Sequence, residues 1–232
     1  MAGDLQTMRS RIAAELRRSD LVSNPAASPN DFVTLAIMDA IAAYQTERFR
    51  FSDVDPANPD TFNTVVNRDV YDSNDSAIIG SMHKVDRVYI LIGNANQVIT
   101  VEQPKVLRLY NQQALMVGQP TWYAMEDDKM ILSPIPSSVW QVTIEAFRDV
   151  AAPATDSEAN NPWMTKAERL IRARAKYEIA TNVLRNPDLA MTFSPDPPAP
   201  GQKAGEAYRH WKQLKGDTNR ITSIGRIRPM QF

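Results

Sequence analysis

Apolar residues first fall at helical spacing. Over residues 4–18, Leu5, Met8, Ile12 and Leu16 recur every third or fourth position, which places one apolar stripe on a helix. The stretch "RRSDLVSNPAAS" breaks it. Ser28, Pro29 and Asp31 then read as a helix start: a hydroxyl cap, a proline in the first turn and an acid near the positive end. The helix expected over about 29–50 carries Phe32, Val33, Leu35, Ile37, Met38, Ile41 and Tyr44. It is apolar nearly all round, so it belongs at the centre of a helical bundle or against a neighbouring subunit.

Beyond the proline-rich "FSDVDPANPD" the pattern shortens. "TFNTVV", "KVDRVYILI", "NQVITV", "TWYAM", "KMILSPI" and "WQVTIEAF" are β-branched and aromatic, with Asn, Asp, Pro and Gly between them. "GNANQ" and "EDDK" are the expected turns, and Gly118 to Phe147 reads as a hairpin reversing on the acids. Trp140, Val142, Ile144 and Ala146 alternate with Gln141, Thr143, Glu145 and Phe147, which predicts a half-buried strand with Trp140 inward. A helix over about 104–116, with Val106, Leu107, Tyr110 and Leu115 inward, interrupts the strands.

After "APATDSEANNP", Thr165 and Glu168 have capping-box spacing. A helix over about 165–186 follows, stopped by "NPDLAMTFSPDPPAPG", and a last helix covers about 201–216. The expected fold is α+β: N- and C-terminal helices packed as a bundle (1–58 and 160–218), a β-rich insertion (59–159) and an extended C-terminal tail (219–232).

Composition narrows the chemistry. The 232 residues include no cysteine, which excludes disulfides, thiolate metal sites and thiol nucleophiles. The first residues lack the apolar centre of a signal peptide, and the longest apolar runs are too short for a membrane span, so a soluble, unexported protein is expected. Net charge is −1, but unevenly spread: residues 1–162 hold 13 Lys+Arg against 21 Asp+Glu, and 163–232 hold 13 against 6. Such an imbalance suits either two faces with different partners or ordinary solvated helix surfaces.

Candidate catalytic groups are sparse. His83 and His210 have no metal-spaced partner. Asp53, Asp55, Asn58 and Asp60 imitate a calcium loop but lack its glycine and closing glutamate, since Thr64 stands at the twelfth position. Glu126, Asp127 and Asp128 suit a solvated turn. No phosphate-binding glycine loop or nucleophile elbow occurs. No cofactor or metal is expected. The basic helix with Arg169, Arg172, Arg174 and Lys176 keeps open an alternative, a nucleic-acid-binding accessory protein using the C-terminal helices. An enzyme with an acidic site near Asp53 to Asp60 is a third reading.

Several segments in order carry a resemblance. They are R-x-x-I-A-x-E-L-x-R-S-D-L (Arg9 to Leu21), A-I-x-x-Y-x-x-E-R-F-x-F (Ala40 to Phe51), G-Q-P-x-x-Y-A (Gly118 to Ala124), L-S-P-I-P (Leu132 to Pro136), N-P-W (Asn161 to Trp163), L-I-R-x-R-A (Leu170 to Ala175) and G-R-I-x-P (Gly225 to Pro229). The chain resembles the head-to-tail adaptor (connector) proteins of tailed bacteriophages, mainly the short-tailed type. The resemblance implies a non-enzymatic virion protein of the neck or tail, assembled in the host cytoplasm. It implies a homo-oligomeric ring, usually of twelve copies, between the portal protein and the tail or nozzle proteins. Genome DNA would pass through without sequence-specific binding, and no membrane is involved. It also implies a C-terminal extension on the portal. Arg220, Ile221, Ile224, Arg226, Ile227, Arg228, Met230 and Phe232 are the expected portal contacts, with apolar residues near every third position and arginines to orient them. The tail is expected to order on its partner. Glu126, Asp127 and Asp128 are the expected contact to the tail or a neighbouring subunit.

Overall fold

The computed structural model describes residues 4–21, 31–53, 59–112 and 116–224. The fold is α+β, with a mixed, curled seven-stranded sheet and seven helices among the described residues. The chain divides into two compact units. One joins residues 1–51 to 150–232, and the other is residues 52–149.

In the helical unit, α1 (Leu5–Leu16) is capped by the Asp4 carboxylate, which accepts from the Thr7 amide at 2.6 Å. Its expected stripe is inward: Leu5, Met8 and Ile12 are buried and Leu16 packs at the margin. Helix α2 (Phe32–Gln45) starts later than its sequence suggested. Asp31 is the cap, accepting from the Thr34 amide, and Ser28 and Pro29 lie outside the described residues. The helix also stops early, and Arg50–Ser52 form a separate short 3₁₀ turn.

Helix α4 (Pro162–Thr165) is one turn, capped by the Asn161 side chain; α5 (Glu168–Glu178) follows. The expected Thr165–Glu168 capping box does not form. Thr165 is spent inside the preceding turn, where its hydroxyl donates to the Asn161 carbonyl at 3.0 Å. Ala167 caps α5 without a side-chain bond, and Glu168 binds Arg11 and Arg172. A π-helical turn, Ile179–Val183, continues α5. The following proline-rich stretch was expected only to break a helix, yet it holds α6 (Pro187–Phe193) because Asn186 caps it and Pro187 sits where no amide is needed. The last helix, α7 (Glu206–Ile224), begins and ends later than expected, so Arg220, Ile221 and Ile224 are helical rather than part of an extended tail.

The core of this unit gathers α1, α2, α4 and α5 around Ile12, Ile37, Ile41, Trp163 and Ile171. Phe49 and Phe51 stack with centroids 5.4 Å apart, and Trp163 meets both edge-on at 6.0 and 5.0 Å. That aromatic cluster joins the two distant stretches of sequence. Arg9, 3% exposed, holds Asp31 and also Asp156 at 2.8 Å. Burial of a cation is tolerated because carboxylates neutralise it.

The second unit contains β1 (Asp60–Asn63), β2 (Val70–Tyr71), β3 (Met82–Ile92), β4 (Ala95–Val101), α3 (Pro104–Gln112), β5 (Val117–Gly118), β6 (Trp122–Glu126), β7 (Lys129–Ser133), β8 (Ile135–Pro136) and β9 (Gln141–Arg148). The sheet order is β1-β9-β3-β4-β6-β7-β2, antiparallel except where β4 meets β6. A separate parallel pair joins β5 and β8. The segment from Gly118 to Phe147 is therefore not one hairpin. β6 and β7 form a hairpin, but β9 leaves it to pair with β3 and β1. The outer strands β1 and β2 approach each other, with the Phe62 and Tyr71 rings 5.0 Å apart, so the sheet curls around one core.

Along β9 Val142, Ile144 and Ala146 are buried as the alternation predicts, but Phe147, expected on the outward face, is buried too, where the Asp53 backbone bridges to it, and Trp140 is only half-buried just before the strand. Helix α3 lies over β6 and β7, with Leu107 inward. Tyr110 does not turn inward as expected; it is exposed, and Asn111 takes the buried place by bonding to the Leu132 carbonyl. Leu115 lies outside the described residues.

Candidate interaction surfaces

The acidic turn is built by its backbone. Asp127 and Asp128 have φ of 47° and 57°, so both central residues of the β6–β7 turn are left-handed, matching the twist of the strands. Aspartate tolerates this conformation better than most residues. The turn projects both carboxylates from a rigid hairpin. Glu126 is tied back to Arg108 of α3. The three acids border a cleft with Glu102, Lys84, Met82, Val85, Tyr123 and Met125. Its floor is apolar and its rim mostly acidic.

On β2, which pairs with β7, the Tyr71 hydroxyl accepts from the Val65 amide at 3.0 Å and donates to the Arg68 carbonyl at 2.8 Å. Burial pushes this phenol above its ordinary pKa. Thr64, also buried, locks the neighbouring loop: its hydroxyl receives the Trp140 amide at 2.8 Å and its own amide donates to the Trp140 carbonyl.

The basic helix is largely neutralised. Arg172 faces Glu168 at 3.0 Å and Glu15 at 3.4 Å, and Arg174 faces Glu178 at 2.7 Å. Lys176 is buried between Glu15 and Glu206, each at 2.8 Å. Arg172 and Lys176 tie α5 to its neighbours, Arg174 pairs within α5, and these three are poorly placed to grip a phosphate backbone; Arg169 is exposed. Burial lowers the His210 pKa, with Glu206 opposing the shift.

The predicted contact residues fall on different parts of the chain. Glu126, Asp127 and Asp128 belong to the sheet unit; Arg220, Ile221 and Ile224 continue α7; Arg226, Ile227, Arg228, Met230 and Phe232 lie outside the described residues. In the loop Asp53 to Asp60, Asp53 forms a backbone bridge to Phe147 and Asp60 pairs with Arg148 at 3.8 Å. Among the described residues, no three His, Cys, Asp or Glu side chains converge on a cation site. No helix among them is long and apolar enough to cross a membrane.

Two further surfaces stand out, the first left open by the sequence reading and the second unseen by it. Phe32 and Leu35 stand out from α2, 57% and 46% exposed. A cavity of about 460 Å³ opens where the π-helical turn meets α6, lined by Tyr177, Thr181, Arg185, Pro187, Ala190 and Met191. The all-round apolar character of α2 was the legible signal for the first. A π-helical turn has no comparable signature, so the second was invisible.

The charge imbalance follows the fold. The sheet unit holds 7 Lys+Arg against 13 Asp+Glu, and the helical unit 19 against 14, giving −6 and +5.

Three of the segments that carried the resemblance, and the stretch Leu170 to Ala175 of α5, supply packing contacts in the helical unit. Glu47 receives the Trp211 indole at 2.7 Å and Lys215 at 2.9 Å, Phe49 and Phe51 enclose Trp163, and Glu15 meets Arg172 and Lys176. No curated protein matches the chain. The family model of the SU10 adaptor protein matches residues 4–224, which takes in both units, and the chain belongs to that family, the structural adaptors of phage.

Proposed function

We propose that this protein forms a ring, of twelve copies, between the portal and the tail of a phage particle, and that the genome passes through it. The observation that carries this reading is the adaptor family match across residues 4–224. The division of charge supports it. A ring needs two different surfaces on each copy that meet around a closed circle. A basic wall would hold phosphates, so the acidic sheet unit is the better lining for a conduit. The role is mechanical and asks for shape and rigid surfaces rather than a reactive centre. Residues 225–232 attach the ring to the portal, with Arg226 and Arg228 orienting Ile227, Met230 and Phe232. The virion neck is the place of action.

The test is light scattering and native mass measurement of the chain with and without purified portal rings. A portal-bound ring is expected, with the chain monomeric or weakly associated when alone. Deleting 225–232, which leaves α7 whole, should abolish attachment without changing the melting temperature. Full attachment of the truncated chain would move the anchor to the helices. Salt-sensitive duplex binding by a monomer would replace this reading with the nucleic-acid alternative.

A further inference from the structure

The exposed side of α2 and the cavity beside the π-helical turn are complementary. On α2, Phe32, Leu35 and Asp39 lie at spacings of three and four, so they form one outward row: two large apolar side chains, then an acid. Asp39 makes no ion pair among the described residues. The cavity has an apolar wall from Tyr177, Pro187, Ala190 and Met191; Asp196 lies on its polar side, and Arg185 stands at its edge as the one cation among the described residues that line it. Arg185 likewise makes no ion pair among the described residues, and Met191 is 58% exposed. About 460 Å³ is room for the Phe32 and Leu35 side chains together.

One copy cannot bring these surfaces together. Helices α1 and α5 run side by side in the same direction, since Arg11 meets Glu168 and Glu15 meets Lys176. The start of α2 sits beside the start of α1, because Asp31 meets Arg9. The cavity begins where α5 ends, at Tyr177. The length of α5 therefore separates them, roughly 15 Å at 1.5 Å per residue.

The geometry points to a second copy of this chain as the occupant: Phe32 and Leu35 of one subunit enter the cavity of the next, and Asp39 pairs with its Arg185. A contact between two unlike surfaces passes each copy's free end to another, which is what a ring requires. A nucleic acid would not suit a row that ends in a carboxylate. The charge pair would set register and exclude wrong partners, while the apolar burial supplies the attraction. This inference rests on the ring reading and names the surfaces that build the ring.

The chain has no cysteine, so engineered thiols report on this contact without background. Leu35→Cys and Met191→Cys chains are mixed and oxidised, with and without purified portal rings. A mixed dimer should form in roughly tenfold greater yield than from Ser10→Cys with Met191→Cys, because a disulfide needs Cα atoms within about 7 Å. Asp39→Lys or Arg185→Glu alone should weaken assembly on the portal, and the two together should restore it. Rings that form normally with all these variants, and with no excess Leu35–Met191 crosslink, overturn this contact and leave the ring reading standing. A Leu35–Leu35 crosslink as the main product would show a two-fold contact and also overturn it. A wild-type chain that stays monomeric even with portal would remove both.

Discussion

Lys176 offers a sharp test of how the helical unit is held. Its side chain is 4% exposed, and its ammonium touches Glu15 and Glu206 at 2.8 Å and lies 4.3 Å from the Phe193 ring centroid. The two carboxylates are less buried, at 39% and 23%. Removing different partners therefore has unequal consequences. Lys176→Met keeps the apolar stem and frees two acids that reach water; Glu15 retains Arg172 at 3.4 Å, while Glu206 faces His210 at 3.7 Å, an imidazole whose lowered pKa favours its neutral form. The loss is two charge-assisted bonds, discounted for that exposure, plus the ring contact, about 1–2 kcal/mol. Glu15→Gln with Glu206→Gln instead strands a buried ammonium without a counter-charge. That costs about 3–5 kcal/mol, the range for breaking a buried pair from one side. Urea unfolding followed by tryptophan fluorescence measures both. Trp163 and Trp211 belong to the helical unit and Trp122 and Trp140 to the sheet unit, so a Trp122→Phe, Trp140→Phe background isolates the relevant signal. If Lys176→Met destabilises as much as the double glutamine variant, the cluster is not governed by the cost of stranding the cation.

A β-carbon on Gly205 would lie 2.3 Å from the Ser194 carbonyl oxygen and 2.6 Å from its amide nitrogen. Gly205→Ala must displace backbone and should cost about 3 kcal/mol or more in urea titration; a loss under about 1 kcal/mol would mean the α6–α7 connection yields freely. Trp140→Asp should cost about 1–2 kcal/mol, less than for a fully inward tryptophan, because the half-buried site lets the carboxylate reach water; an unchanged melting temperature would show that the ring contributes nothing to the sheet core. His210 has its pKa lowered by burial, so the unfolded chain takes up the proton first. Stability from its neutral form is complete above about pH 6.5 and falls as pH drops through the folded value. His210→Gln should flatten that part of the melting profile, and an unchanged slope would assign it to other groups.

The elements whose interiors follow a strict period were readable from the chain. The stripe of α1 and the alternation of β9 were legible because one face of each is buried and the other wet. Helix ends were not, because caps depend on which short polar side chain the tertiary structure leaves free. Asp31 serves α2, and Thr165, with the right spacing, is already engaged in the turn before. The segment after Asn186 read as a breaker because its prolines outweigh its apolar residues in any local count; Pro187 in fact starts α6. Leu107 was found, but Tyr110 was misplaced, since α3 rests on the sheet along a narrow line and Asn111 fills the position its ring would need. The Asp127-Asp128 turn was legible from composition. The all-round apolar pattern of α2 signalled an outward apolar face but not which residues form it, and the cavity at Tyr177 depends on how α5 and α6 pack, which a linear pattern does not encode.

The division of the helical unit between the two ends of the chain also sets an order of events during synthesis. Helices α1 and α2 leave the ribosome with apolar faces that cannot be covered until α4 and α5 follow, roughly a hundred residues later. Joining those ends through a disordered connection would cost about 4 kcal/mol in closure entropy, from (3/2)RT ln n with n near one hundred. The sheet unit removes most of that cost in advance. Once β9 pairs with β1 and β3, the Asp53–Phe147 bridge brings the two exits of the loop together. Phe49 and Phe51 are then short tethers from Trp163. The two halves of the helical unit therefore meet at the least entropic cost once the sheet has folded.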